Sequence, residues 1–279
     1  MSKTSSQQRG QEGQPYRLVQ FTDCHLGAVA GETLLNLDTD ESFVDVLQLI
    51  EVRESAIDLL VCTGDIASAG NPDCYDRFYN TLKAQFSSPL AWLPGNHDSA
   101  ANMDAFAADK AILSRLVETK QWQIILLDSA VPGQVYGYLA DYELARMQAL
   151  LEANAQAPEP KHVLVMLHHQ PQPVGSAWID QYTLRNADAF YALLDLYPQV
   201  QSVAWGHVHQ AYETQRKGVQ LCSAPSTCIQ FKPDLDDFAV DKAMPGYRWF
   251  DLCDDGSIVT GVERIDQKDY PIDYSSNGY

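Results

Sequence analysis

Five short polar motifs contain six of the seven histidines of this chain, and each follows an apolar run. Imidazole nitrogens and carboxylate oxygens suit divalent iron, manganese, zinc or cobalt, and two such ions need about seven or eight protein donors plus water. Seven candidate donors lie in these motifs: Asp23 and His25 in "TDCH", Asp65 in "TGDI", Asn96 in "PGNHDS", His168 in "LHHQP", and His207 and His209 in "WGHVH". One such motif arises by chance in many chains, but five in order indicate a two-metal centre.

The spacing within the motifs suggests how their side chains converge. In an extended chain residues i and i+2 point the same way, so we expect Asp23 and His25 to share one locus, as His207 and His209 do. Cys24 would then point elsewhere and act as a spacer rather than a ligand. A glycine precedes three of the ligand positions and permits a tight turn there: Gly64, Gly95 and Gly206.

The apolar runs before the motifs predict strands that alternate with helices. Strands are expected at "YRLVQFTD", "DLLVCTGD", "PLAWLPGNHD", "QWQIILLDS", "KHVLVMLHH" and "QSVAWGHVH". Helices are expected around residues 40–57, 71–86, 141–155 and 185–197, the first capped by Asp38 with Glu41, the second by Asn71. In open α/β sheets, sites lie outside the carboxyl ends of the strands. The motifs occupy those positions.

Length and composition favour one globular domain. The 279 residues are 46% apolar, which is ample for a sheet covered by helices. We expect a disordered N-terminal tail over residues 1–15, a single catalytic domain over 16–267 and a C-terminal tail over 268–279. The last third predicts hairpins at Lys217-Gly218 and Asp254-Asp255-Gly256, forming a second, more antiparallel sheet.

Charge and segment lengths exclude several classes of partner. The chain has 19 basic and 37 acidic residues. The resulting formal net charge of -18 disfavours binding to nucleic acid and to acidic membranes. Neither a signal-peptide core nor a run of about 20 apolar residues is present, which predicts a cytoplasmic protein without a membrane span. The six cysteines form no C-x-x-C pair, so reduced thiols are expected.

The five motifs in order, from residue 23 to residue 209, resemble the signature of the calcineurin-like metallophosphoesterases. The resemblance implies an α/β fold: a four-layer α/β/β/α sandwich of two facing mixed sheets flanked by helices. It also implies two bound divalent metal ions. Iron and manganese are the preferred metals, and zinc or cobalt are the alternatives. One metal would bind Asp23, His25, Asp65 and His209, and the other Asp65, Asn96, His168 and His207, with Asp65 bridging. "LHHQP" leaves a choice of ligand; His168 is preferred, and His169 then lines the site.

The implied chemistry is phosphoester hydrolysis. Two metals about 3.5–4 Å apart hold a hydroxide at neutral pH and neutralise phosphoryl charge during in-line attack. His97 would stabilise the transition state or protonate the departing alkoxide, making His97 and Asp65 the catalytic residues. Asp98 would either orient His97 or cap the loop. Five side chains would contact substrate: His25, Asn96, His97, His169 and His209.

A narrower resemblance is to the bacterial 3',5'-cyclic-AMP phosphodiesterases, the class III cyclic nucleotide phosphodiesterases. It lies in "GETLLNLDTDESF", "SAWIDQYTLRNAD" and "CSAPSTCIQFKP", outside the shared motifs. It implies hydrolysis of cyclic AMP to 5'-AMP. Four residues there suit either a nucleoside phosphate or packing and capping: Trp178, Arg185, Asn186 and Phe231.

Two alternative functions remain. One is a broader phosphodiesterase for 2',3'-cyclic nucleotides, glycerophosphodiesters or aryl phosphoesters. The other is a non-catalytic scaffold of the same fold, which is disfavoured because every ligand position is filled. A monomer and a homodimer are both open, since the C-terminal aromatics could pack on the domain or on a second subunit: Phe231, Phe238, Trp249 and Phe250.

Overall fold

The computed structural model describes residues 13–278, so most of the predicted N-terminal tail, residues 1–12, lies outside the described part. The strands are β1 (Tyr16–Phe21), β2 (Thr33–Leu34), β3 (Leu37–Asp38), β4 (Leu59–Cys62), β5 (Leu90–Trp92), β6 (Ile112–Leu113), β7 (Leu116–Glu118), β8 (Trp122–Leu126), β9 (His162–Met166), β10 (Val200–Trp205), β11 (Glu213–Arg216), β12 (Val219–Ser223), β13 (Gln230–Phe231), β14 (Val240–Asp241), β15 (Gly246–Leu252) and β16 (Ile258–Arg264). The helices are α1 (Thr39–Arg53), α2 (Pro72–Gln85), α3 (Ala100–Ala107), α4 (Asp141–Ala155), α5 (Ala177–Asp180) and α6 (Ala187–Leu194).

Two six-stranded mixed sheets form the centre of the fold. The first sheet has the order β16-β15-β1-β4-β5-β6, in which β1, β4, β5 and β6 are parallel. The second has the order β11-β12-β10-β9-β8-β7, in which β12, β10, β9 and β8 are parallel. The parallel strands include all six that the sequence predicted, β1, β4, β5, β8, β9 and β10, so their carboxyl ends lie on one edge of each sheet.

Three apolar clusters separate four layers. Phe250 from the first sheet and Trp122 and Met166 from the second share the cluster between the sheets. Phe43 of α1 lies in a second cluster, on the outer face of the first sheet. Phe190 of α6 lies in a third, on the outer face of the second sheet. This arrangement confirms the predicted four-layer α/β/β/α sandwich, with the edge of parallel strand ends left for a site.

Side-chain caps fix where the first two long helices begin. Asp38 accepts a hydrogen bond from the backbone N of Glu41 at 3.0 Å, and Asn71 accepts one from that of Asp73 at 2.9 Å. Pro72 stands in the first turn of α2, where its missing N–H costs nothing. Both predicted caps are confirmed.

The last third folds differently from the prediction. Both hairpins form, with Lys217 and Gly218 in left-handed conformations between β11 and β12. The prediction that they form a separate antiparallel sheet is wrong. Strand β12 lies parallel to β10 in the second sheet, and β15 lies antiparallel to β1 in the first. Their apolar residues, among them Leu221 and Phe250, thereby join cores that the existing sheets already form.

Residues near the C-terminus contact the domain. Tyr270 is buried and its hydroxyl donates to Asp45 on α1, which also pairs with Lys268. Trp249 packs beneath the guanidinium of Arg17, 4.3 Å from its ring centroid. The predicted domain limits at residues 16 and 267 stay predictions. Within residues 13–278 no helix has the length and apolar character needed to cross a membrane.

Replacing Phe250 with alanine tests the inter-sheet core. Its side chain is fully buried between the sheets, so we expect the free energy of unfolding to fall by about 3–5 kcal/mol. Val259, 54% exposed on the neighbouring β16, is the control, with a change within about 0.5 kcal/mol for Val259→Ala. Denaturant unfolding measures both, and equal losses for the two variants would contradict this core.

Candidate metal centre

The candidate ligands follow the ends of strands from both sheets. β1, β4 and β5 of the first sheet end at residues 21, 62 and 92, just before the motifs with Asp23, Asp65 and Asn96. β9 and β10 of the second sheet end at residues 166 and 205, before His168 and His207. All of the predicted ligand positions therefore converge on the one edge where both sheets present their carboxyl ends.

Asp23, His25 and His209 form the first group, with ligand atoms within 4.8 Å of one another. His209 Nε2 lies 3.3 Å from His25 Nε2 and 3.3 Å from Asp23 Oδ1. His209 Nδ1 donates to the carbonyl of Ile229 at 2.8 Å. A histidine that donates one ring N–H to a carbonyl presents its other nitrogen as a fixed ligand.

His168 and Asn96 belong to a second group that adjoins the first. His168 Nδ1 donates to the carbonyl of Thr63 at 2.8 Å, and its Nε2 lies 3.2 Å from Asn96 Oδ1. Asp65 Oδ2 lies 3.2 Å from His168 Nε2 and 3.7 Å from His25 Nε2, which places this carboxylate between the groups. That is where a bridging ligand would have to be.

The ring of His207 contains a buried nitrogen that fits a cation. Its Nε2 has no hydrogen-bonding partner among residues 13–278. A buried imidazole nitrogen without a partner is costly in an apo protein and is satisfied by a metal ion. Ligand atoms of His168, His169 and His207 lie within 4.8 Å of one another. The donor set thus fits divalent metals on the geometry of the protein alone.

The contacts distinguish the two histidines of "LHHQP". His169 Nδ1 lies 2.8 Å from Ser129 Oγ, and its Nε2 lies 3.1 Å from the carbonyl of Val135. Both of its nitrogens therefore have protein partners, whereas His168 directs Nε2 at Asp65. This geometry favours His168 as the ligand. The partners of His169 were not predicted, since no sequence motif marks Ser129 or the Val135 carbonyl.

The buried carboxylates remain ionised because of their imidazole neighbours. Burial raises the pKa of Asp65, but His168 and His97 outweigh it and hold that pKa well below its usual range. Burial likewise raises the pKa of Asp23, and His209 and His168 bring it below the usual value. Ionised carboxylates are the form that binds metals.

Burial keeps the imidazoles of His25 and His207 neutral. Burial, then His97, lowers the pKa of His25 to about 3, and burial with His169 and His168 lowers that of His207 well below its usual range. For His168 burial lowers the pKa, but Asp65 outweighs it and raises the pKa to about 9. One proton on His168 thus partly offsets the two carboxylates, in a position that a cation can take over.

The local backbone corrects the predicted geometry of the D-x-H and H-x-H pairs. The chain there is not extended, because β1 ends at Phe21 and β10 at Trp205. Left-handed backbone positions bring the side chains together instead: Asp23 (φ 55), His25 (φ 46), Asp65 (φ 51), His207 (φ 66) and His209 (φ 48). Such conformations cost about 1–3 kcal/mol each for non-glycine residues and concentrate at functional sites.

Cys24 remains a spacer in this different geometry. Its side chain is fully buried in the core beneath α1 and α2, beside Cys62. The backbone N of Asp23 donates to the Gly64 carbonyl at 3.0 Å and that of His25 to the Asp65 carbonyl at 2.9 Å. These hydrogen bonds hold the turn so that Asp23 and His25 face the site and the intervening thiol faces the core.

His97 borders the candidate metal ligands and is partly accessible. Its backbone N donates to Asp65 Oδ1 at 2.8 Å, and its ring centroid lies 4.8 Å from that of His25. His97 Nδ1 donates to the carbonyl of Ser68 at 2.9 Å, which fixes the ring orientation. The adjacent Asn96 is also half-buried. His97 is thus positioned beside the ligands without being enclosed by them.

Asp98 caps the loop with both oxygens of its carboxylate. Its carboxylate accepts hydrogen bonds from three backbone amides and one hydroxyl: Gly95 N, Ile66 N, Ala67 N and Tyr75 Oη. Burial and the charge of Asp65 raise the pKa of Asp98 to about 6. Of the two roles predicted for Asp98, the geometry supports the cap.

Of the four residues proposed from the narrower resemblance, Phe231 alone stacks on a candidate ligand. Its ring lies 4.0 Å from that of His209, and Trp178 packs edge-on against it at 4.8 Å. Asn186 pairs with both backbone groups of Leu139, and the guanidinium of Arg185 covers the Tyr136 ring. Capping and packing account for those contacts.

Comparison with known proteins gives consistent similarities. A family model described as calcineurin-like phosphoesterase matches residues 16–211. The 3',5'-cyclic adenosine monophosphate phosphodiesterase CpdA of Pseudomonas aeruginosa is 40% identical over 262 residues, 94% of each chain. The protein of that name from Escherichia coli K12 is 39% identical over 265 residues, also 94% of each. A solved dimetal phosphatase from Danio rerio shares the fold at 13% identity with a TM-score of 0.57, covering 91% of this chain and 100% of its own.

Replacing Gly95 with alanine tests the packing around Asp65. A Cβ at residue 95 would lie 2.1 Å from Asp65 Oδ1 and 2.6 Å from its backbone N, so the carboxylate must move. Because Asp65 adjoins both groups, we expect less manganese to remain bound per chain after dialysis, measured by atomic emission. Gly278→Ala, which has open space, is the control. Full metal content in the Gly95 variant would contradict the geometry.

Proposed function

The chain belongs to the calcineurin-like phosphoesterase family, and on that premise we propose that it hydrolyses 3',5'-cyclic AMP to 5'-AMP with two divalent metal ions. The choice of substrate is supported by relatives named as cyclic-AMP phosphodiesterases that match nearly the whole chain. The single observation that carries the reaction type is the convergence of every candidate ligand on one edge, with the Asp65 carboxylate between the two groups.

The proposed ligand sets follow the two groups of side chains. Asp23, His25, Asp65 and His209 would hold one ion; Asp65, Asn96, His168 and His207 would hold the other. Two bound divalent ions supply a water of lowered pKa and neutralise charge on phosphoryl oxygens. Nitrogen and oxygen donors without thiolate favour borderline metals, and we propose iron with manganese.

His97 is the proposed general acid. It stands beside Asn96 and His25, is partly accessible, and is held by Ser68 through Nδ1. A proton held at Nε2 would pass to the departing 3'-oxygen as its bond to phosphorus breaks. The ring orientation set by the Ser68 carbonyl supports this role because it keeps Nδ1 out of the reaction.

Other residues would orient the substrate. We propose that His25, Asn96 and His209, which belong to the two ligand sets, contact the phosphodiester together with His97. His169 borders the site through the rings of His168 and His207, at 4.8 and 4.7 Å. Because Ser129 and Val135 engage both of its nitrogens, His169 would act by shape and orientation.

We propose the cytoplasm as the place of action. All six cysteines are free thiols, which suits a reducing compartment. The formal charge of -18 favours a small substrate neutralised locally by metals over a polyanionic partner.

The substrate assignment is tested by a comparison of phosphodiesters. Metal-free protein reconstituted with iron or manganese should have a higher kcat/KM for 3',5'-cyclic AMP than for 2',3'-cyclic AMP or bis(p-nitrophenyl) phosphate. Asp65→Ala and chelation should each reduce turnover to background, because both remove the shared metal site. A kcat/KM for 3',5'-cyclic AMP far below the others would favour the broader phosphodiesterase. Background turnover of all three by reconstituted protein would favour the scaffold.

The role of His97 is tested separately from metal binding. His97→Ala should lower kcat for cyclic AMP about 10²–10⁴-fold, the usual size of general acid catalysis, with metal content unchanged. His162→Ala is the matched control, since this seventh histidine packs against Trp122 away from the five motifs and should leave kcat unaltered. Loss of metal in the His97 variant would make His97 a ligand, and unchanged kcat would exclude it as the acid.

A further inference from the structure

Ser68 connects a candidate metal ligand to the proposed general acid. Its hydroxyl donates to the backbone carbonyl of His25 at 2.7 Å, and its own carbonyl accepts from His97 Nδ1 at 2.9 Å. Ser68 is half-buried and follows the "TGDI" motif. One residue after the second motif thus contacts both the backbone of "TDCH" and the ring that belongs to "PGNHDS".

The backbone before Ser68 is held by its neighbours. Leu26 and Ala67 pair in a parallel bridge, with Leu26 N donating to the Ile66 carbonyl at 2.9 Å. Ser68 N donates to the Leu26 carbonyl at 3.0 Å. The Asp98 carboxylate accepts from the amides of Ile66 and Ala67 at 3.2 and 3.1 Å. These contacts fix the chain as far as the amide of Ser68.

The Ser68 hydroxyl fixes the same residue at a second point. A residue held only at its N–H can still turn, and its carbonyl turns with it. The bond from Ser68 Oγ to the His25 carbonyl opposes that rotation. Beyond Ser68, Asn102 Nδ2 donates to the Gly70 carbonyl at 2.9 Å and holds the chain there. The Ser68 carbonyl, which lies between these two fixed points, is therefore directed at His97.

We propose that Ser68 is a positioning residue for protonation of the leaving group, because its hydroxyl, held by His25, keeps its carbonyl in place against the His97 ring. The inference rests on the proposed function, in which His97 is the general acid. The carbonyl keeps one proton on Nδ1, so the Nε2 proton is the one transferred. As the bond between phosphorus and the 3'-oxygen breaks, its electron pair stays on that oxygen and takes up the Nε2 proton. The imidazole becomes neutral and stays bonded to Ser68.

This role predicts an effect that depends on the leaving group. The 3'-alkoxide of cyclic AMP is strongly basic and needs a proton to depart, whereas p-nitrophenolate is stabilised by its nitro group and departs without one. The ratio of kcat for cyclic AMP to kcat for bis(p-nitrophenyl) phosphate therefore measures how well His97 delivers its proton. Loss of metal or partial unfolding lowers both rates and leaves the ratio unchanged.

Ser68→Ala removes the hydroxyl and keeps the carbonyl. We expect the kcat ratio to fall about three- to tenfold, the size of one lost hydrogen bond. His97→Ala, which removes the acid itself, should lower the ratio further. Ser68→Thr keeps a hydroxyl on the same carbon and should restore the ratio to within about twofold of wild type. Ser42→Ala is the matched control, since that hydroxyl donates to the Thr39 carbonyl in α1, and it should leave the ratio unaltered.

The ring N–H of His97 provides a measurement that does not require activity. Zinc has no unpaired electrons, so zinc-loaded protein gives a readable proton NMR spectrum. The signal that disappears in His97→Ala identifies this N–H. Because a less firmly held hydrogen bond opens to water more often, the proton should exchange faster in Ser68→Ala than in wild type. Ser68→Cys keeps the size of the side chain with a weaker donor, and it should shift exchange and the kcat ratio in the same direction.

The outcomes separate this inference from the function on which it rests. A kcat ratio and an N–H exchange rate unchanged in both Ser68→Ala and Ser68→Cys would overturn the positioning role. A ratio in Ser68→Thr as low as that in Ser68→Ala would also overturn it, because the hydroxyl would then not be the cause. An unchanged ratio in His97→Ala would instead contradict the proposed acid, and the role of Ser68 with it. Wild-type protein that hydrolyses the aryl diester but not cyclic AMP would overturn the proposed function itself.

Discussion

The spacing between the two sheets governs the candidate metal centre, because each proposed ligand set takes donors from both. The first sheet contributes Asp23, His25, Asp65 and Asn96, and the second contributes His168, His207 and His209. Neither sheet alone could complete either group. A buried polar contact spans the gap directly behind the site: Gln20 Nε2 on β1 donates to Thr63 Oγ1 at 2.9 Å and to the Trp205 carbonyl at 3.0 Å. It links β1 of the first sheet to β10 of the second.

Hydrogen bonds at the site itself extend this link. The backbone N of His207 donates to both carboxylate oxygens of Asp23, at 3.2 and 3.0 Å, so a loop of the second sheet caps a candidate ligand of the first. The Thr63 carbonyl accepts from His168 Nδ1, which joins the sheets in the opposite direction. A candidate ligand on one sheet is thus oriented by the backbone of the other sheet. Such outer partners fix ring orientation and ligand basicity in metal sites.

The sequence was sufficient to predict that the candidate ligands converge, since polar motifs after apolar runs mark strand ends, and strand ends of parallel sheets meet at one edge. It did not predict the left-handed turns at Asp23 and His207, because an i, i+2 pattern looks the same in an extended chain and in a turn. The hydrogen-bonding partners of the histidines could not be predicted from the sequence either. His168 and His209 are held by the backbone carbonyls of Thr63 and Ile229, and a carbonyl has no sequence signature. The sheet that each late hairpin joins depends on long-range pairing, which local patterns do not encode.

The negative charges of the buried carboxylates in the site are partly compensated by a neighbouring histidine. Two buried carboxylates face the neutral imidazoles of His25 and His207, with His168 supplying the offsetting proton. The most direct test is anomalous diffraction from crystals of the protein reconstituted with manganese. We expect two peaks, Asp65 between them, each surrounded by ligands from both sheets. A single peak, or ions held by residues of one sheet only, would contradict a two-metal centre built across the sheets.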